Sequence, residues 1–85
     1  MSKVTQCPDP VTNGVACSII TTRGEEQCRV ETAQYQRAAA TDYGYLTLTQ
    51  SADGTGLIYS ETIADAQKEH AHTVTAICSM FDKNL

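Results

Sequence analysis

The residues of this chain that could do chemistry are four cysteines and two histidines, and their spacing decides what kind. Cys17 and Cys28 lie on either side of Arg23-Gly24 in the stretch "VACSIITTRGEEQCRVET", Val15 to Thr32. Such a pair can bridge, share a metal, supply a thiolate or fill a core. A structural zinc site uses close ligand pairs of the C-x₂-C kind, whereas successive cysteines here are 10, 11 and 50 residues apart. Met1 to Pro10 lacks the apolar run of a secretory leader, so the expected setting is cytoplasmic, of the producing or a host cell, and reducing. The sequence therefore favours free thiols packed as small hydrophobes. A disulfide among Cys7, Cys17, Cys28 and Cys78 is the alternative, and metal or redox chemistry the third reading.

His70 is the more interesting residue. On a helical wheel it sits in the centre of an apolar stripe, between Ile63 and Val74, with His72 on the opposite side. From there it could reach the sheet thiols Cys17 and Cys28 as a Cys-His pair or a metal ligand set. The plainer reading is a core histidine hydrogen-bonded to backbone or water. Cys78 is eight residues further along the same helix, about 12 Å away, too far to share a metal with His70. Glu69 and His72 have the E-x-x-H spacing of carboxylate-bridged metal bundles, but such a site needs a second copy of the motif. "DGTG" has no Gly-Lys-Ser/Thr ending to cradle a phosphate, and no motif arranges Ser, His and Asp as a triad. The expectation is a protein without enzymatic activity, cofactor or metal.

Composition narrows the partners. A chain of 85 residues has room for one domain, 1–85, with a thin core: 41% of residues are apolar, but there is one Phe and no Trp. Help from a partner or a second copy is therefore expected. The net charge is −4, and the six basic residues, Lys3, Arg23, Arg29, Arg37, Lys68 and Lys83, are scattered. Phosphate-backbone binding needs them clustered, so direct nucleic-acid binding is not expected. No stretch approaches the ~18 apolar residues of a spanning helix, so no membrane partner is expected.

The elements that must position these residues follow from periodicity. Residues 1–14 read as an extended N-terminal arm or edge strand, because Pro8 and Pro10 leave at most Val4 to Cys7 free to pair. A turn at Arg23-Gly24 pairs residues whose numbers sum to 47, setting Ile19, Cys17 and Val15 against Cys28, Val30 and Thr32 on one apolar face. The competing reading makes residues 25–40 a helix, since "EEQCRVETAQYQRAAA" is rich in helix formers. A second hairpin turns at Asp53-Gly54, with Leu46, Leu48, Leu57 and Tyr59 on its core side. Its other side carries Tyr45, Thr47, Thr49 and Ile58, with Tyr43 just before it, as an exposed Tyr/Thr surface. Thr62 caps a helix of about 20 residues whose stripe is Ile63, Ala66, Val74, Ile77, Cys78 and Phe81.

The fold class is therefore α+β: a small antiparallel sheet of two hairpins, about four strands, on one long C-terminal helix, with β-α-β-β-α as the alternative. The functional expectation is a small acidic protein-binding module that meets another protein, one with a basic surface, through Tyr43, Tyr45, Thr47, Thr49 and Ile58 together with Glu25, Glu26 and Glu31. By size and charge alone such chains are common among phage and mobile-element inhibitors, anti-CRISPR proteins included. A homodimer or homo-oligomeric structural subunit, built by pairing a sheet face or edge with a second copy, is the alternative. A small thiol- or metal-dependent enzyme using Cys17, Cys28 and His70 is the second alternative.

Overall fold

The computed structural model describes residues 1–9, 11–36 and 43–83. Pro10, Arg37 and residues 38–40 of the helical alternative lie outside the described residues. Five strands, β1 (Ser2–Gln6), β2 (Gly14–Thr22), β3 (Glu25–Gln36), β4 (Tyr43–Ser51) and β5 (Gly54–Ser60), precede one helix, α1 (Ile63–Lys83). The strands form one antiparallel sheet in the order β1-β2-β3-β4-β5. The arm supplies the fifth strand: Ser2 to Gln6 pair with Thr22 to Ser18 at the sheet edge, and Pro8 follows after Cys7.

Glu25–Gln36 is strand, so the helical reading fails there. Its helix formers are overruled because β3 is the central strand. It pairs with β2 on one side and β4 on the other, and hydrogen bonds on both edges outweigh an intrinsic preference of a few tenths of a kcal/mol per residue.

The first hairpin turns at Arg23-Gly24, and both residues take positive φ, 54° and 80°, as a two-residue hairpin turn of the mirror-image type requires. Thr22 faces Glu25 and Thr21 faces Glu26, in the register read from the sequence. One step further an irregularity intervenes. Gln27 is passed over, and Ile20 faces Cys28, Ser18 faces Val30 and Ala16 faces Thr32. Cys28, Val30 and Thr32 therefore share their face with Ile20, Ser18 and Ala16. Ile19 and Cys17 go to the opposite face, and a second irregularity between Gly14 and Ala16 passes over Val15, which corrects the expected pairing.

The helix lies on the Ile20 face. Ile20, Cys28 and Val30 are buried there beneath Val74, Ile77, Cys78 and Phe81. The stripe behaves as its spacing predicts, except that Ile63 at the first turn stays 50% exposed. The expected cap is present: the Asp65 N–H donates to Thr62 Oγ1 at 3.1 Å.

Cys7 and Cys17 form a disulfide, with Cα atoms 5.5 Å apart. This replaces the expectation of four free thiols. The β1–β2 register, continued one residue past Gln6, brings Cys7 opposite Cys17, where the Cys7 N–H also donates to the Cys17 carbonyl at 3.3 Å. Cys28 is buried and Cys78 half-buried, both as thiols. Thiol titration of the denatured, unreduced chain should thus find two thiols, and four after reduction. Replacing Cys7 and Cys17 by Ser should lower stability in chemical denaturation by about 2–3 kcal/mol, the loop-closure value for a link this short.

Candidate functional site

Two places in this fold have the makings of a site: the sheet face turned away from α1, and a polar cluster beneath the helix. On the first, register sets Ala33 beside Leu46 and Leu46 beside Tyr59, with Glu31, Leu48 and Leu57 in the next row. Leu57 is 56% and Tyr59 68% exposed, and Leu46, Leu48 and Tyr35 are half-buried. Tyr35 lies over Gly44, where an added Cβ would come within 2.9 Å of its ring atoms. That close approach lets Tyr35 meet the edge of Tyr59, ring centres 6.3 Å apart. The β2 end of the same face is covered by the arm: Arg29 pairs with Asp9 at 3.1 Å, the Val11 N–H donates to Glu31 at 3.4 Å, and the Asn13 side-chain amide donates to the Gln34 carbonyl. Among the described residues nothing covers the β4–β5 end.

Beneath the helix, His70 is 7% exposed. Its Nε2 is 2.9 Å from Ser18 Oγ and its Nδ1 2.9 Å from Thr32 Oγ1, which is 2.8 Å from Thr47 Oγ1. The chain of contacts joins α1 to β2, β3 and β4. Burial holds the imidazole pKa below its ordinary value, favouring the neutral ring. One ring nitrogen then donates and the other accepts, and hydroxyl groups suit both roles. Ser18 and His70 open on a cleft of about 370 Å³ that Glu31 and the Cys7–Cys17 bridge also line. Their spacing is that of a nucleophile and its base. The one charged residue among those lining the cleft is Glu31, a carboxylate, which opposes the negative charge an acyl-transfer intermediate develops.

The surface residues read from the sequence are redistributed. The alternation in β4 and β5 is as expected, but the two sides are exchanged. Thr47 is 1% exposed, beneath the helix, and Tyr45, Thr49 and Ile58 stand half-buried on the same side. The exposed surface instead carries Leu57 and Tyr59. The register is also two residues off the expected one, Leu48 facing Leu57 and Leu46 facing Tyr59, because the turn is built on Ala52-Asp53 with Ser51 facing Gly54. A slip of two keeps each residue on its face, so the exchange has another cause: the helix goes to the side where β2 and β3 place Ile20, Cys28 and Val30. Tyr43 opens β4 opposite Gln36.

Of the three acids, Glu25 and Glu26 are exposed at the β2–β3 turn, while Glu31 is half-buried and 3.8 Å from Arg29. The thiol and metal candidates are not brought together. Cys17 is in the disulfide on the open face, Cys28 is buried on the other, and both ring nitrogens of His70 are engaged by hydroxyls. Among the described residues no group of three His, Cys, Asp or Glu side chains could hold a metal ion, and no helix is long and apolar enough to cross a membrane. Sequence reasoning placed His70 in the core but missed Ser18 and Thr32 as its partners. The available signal was their position in register with Val30 and Ala16, which only the irregularity at Gln27 creates.

Compared with protein-family models, curated proteins and solved structures, the chain matches none. The polar cluster yields a direct test. Thr32→Val removes the hydroxyl shared by His70 and Thr47 and should cost about 1–3 kcal/mol, because two buried polar groups lose a partner. Thr49→Val, on the same side of β4 but outside the cluster, should stay within about 0.5 kcal/mol. Chemical denaturation of both variants checks the difference.

Proposed function

We propose that this chain is a non-enzymatic protein-binding module whose partner is another copy of itself, a homo-oligomeric structural subunit assembled through the free edge of β5. The observation that carries this reading is the contrast between the two edges of the sheet. Natural edge strands are blunted by brevity, Lys, Pro, bulges or a covering segment. β1 has five residues, carries Lys3, runs into Pro8 and is tied to β2 by the Cys7–Cys17 bridge. β5, "GTGLIYS", has seven residues, no charge and no proline, and its single strand neighbour is β4.

One open edge per copy supports a closed two-fold dimer rather than an open filament. A two-fold axis perpendicular to the sheet keeps both helices on one side, so paired residues must have numbers of the same parity. Pairing centred on Leu57 sets Gly56 against Ile58 and Thr55 against Tyr59, small side chains against large ones. The result is a ten-stranded sheet with two helices on one face. The other face then joins the Leu46, Leu48, Leu57 and Tyr59 patches of both copies into one apolar surface, with the Leu57 side chains of the two copies side by side at its centre. The same edge could instead accept a strand from a different protein, which is how an inhibitor would use it.

Sedimentation velocity over micromolar to near-millimolar concentration separates the two. A dimer of the native chain is expected, and Leu57→Lys should weaken it by roughly 30-fold or more, the scale of a central interface residue. Helix content and midpoint of the separated Leu57→Lys monomer should remain measurable by circular dichroism. A native chain that stays monomeric throughout would refute self-assembly and leave the heterologous partner.

A further inference from the structure

We infer that His70 is an acid-sensitive latch between α1 and the sheet, whose protonation releases the helix. The geometry that carries this is the absence of a counter-ion among the described residues. β2, β4 and β5 contain no charged residue. In β3, Glu25 and Glu26 are at the turn, and Arg29 and Glu31 stand on the face away from the helix. Lys3 of β1 pairs with Thr21, also on that far face. Against the helix the sheet therefore presents His70 with hydroxyls alone: Ser18, Thr32 and Thr47. The Cys28 thiol, kept neutral by burial and by neighbouring Cys78, and the Tyr45 phenol are the other titratable groups on that surface; neither is a carboxylate.

Two carboxylates come near without answering the charge. Glu31 lines the same cleft, but Arg29 and the Val11 N–H already engage it. Glu69 precedes His70 on α1, about 100° round the helix and half-buried. A protonated ring could still donate to both Ser18 and Thr32, so what opposes it is the loss of water rather than the loss of a hydrogen bond.

The sign of the pH effect follows. A base held neutral by the fold titrates below its unfolded value of ~6.5, so the latch is fully closed above that pH. As pH falls below ~6.5 the unlatched state gains up to about tenfold per pH unit, until the folded-state value is reached.

The test is hydrogen exchange of the α1 amides in the full chain between pH 7.5 and 5, corrected for intrinsic exchange, with parallel NMR titration of both imidazoles. His70 should titrate below the ~6.5 of a free imidazole, and α1 protection should fall up to tenfold per pH unit below ~6.5. His70→Gln, which keeps a donor and an acceptor without a titration, should abolish the pH dependence. Unchanged α1 protection in the native chain, or the same acid loss in His70→Gln, would overturn the latch. Should the variant not fold, the native titration still decides: a His70 resonance that titrates at ~6.5 or above refutes the proposal. None of these outcomes depends on whether the chain dimerises.

Discussion

The architecture depends on one residue that has no opposite number. Because side chains alternate along a strand, skipping Gln27 in β3 changes which residues of β2 share a face with Cys28, Val30 and Thr32. With the irregularity, Ile20 joins Cys28 and Val30 to make the patch that α1 covers. Ser18 comes to the same side and meets His70. Cys17 is sent to the other face, where the continued register of β1 presents Cys7 to it. The helix seat and the contact of the buried histidine with Ser18 therefore share one cause, which also sets the face on which the Cys7–Cys17 bridge lies.

The core that results is unusually polar for its size. Its fully buried side chains include Thr32 and Thr47 alongside Ile20 and Val30. A Thr-rich surface buries less apolar area than a Leu- or Phe-rich one, so its worth lies in specificity: the Ser18 and Thr32 hydroxyls meet one position of His70, and Thr47 meets Thr32. The helix is thereby held in one register across β2, β3 and β4. The larger apolar side chains of the second hairpin, Leu46, Leu48, Leu57 and Tyr59, remain on the far side. A chain that buries its threonines and shows its leucines leaves an apolar surface open on the far side of the sheet, and the unblunted edge of β5 lies beside that surface.

Much of the local structure was legible. The helix, its Thr62 cap and His70 within its stripe follow from spacing and capping chemistry, which act within a few residues of one another. The Arg23-Gly24 turn and the alternation in β4 and β5 are legible for the same reason. The expectation that Tyr45, Thr47, Thr49 and Ile58 form an exposed surface rests on the rule that leucines face the core, a rule that fails when a sheet has two apolar faces and a single helix to cover one of them.

What the sequence alone determines, then, is the set of elements and which residues travel together on each face, since periods of 2 and 3.6 are properties of the backbone. Tertiary structure decided the rest: that Glu25–Gln36 pairs as a central strand against its helical propensity, that Gln27 is skipped, and that the helix lies over the threonines. Each of those outcomes turns on contacts between residues far apart in the chain. Their energies are of the same order as the local preferences they override, so no window of sequence contains the answer.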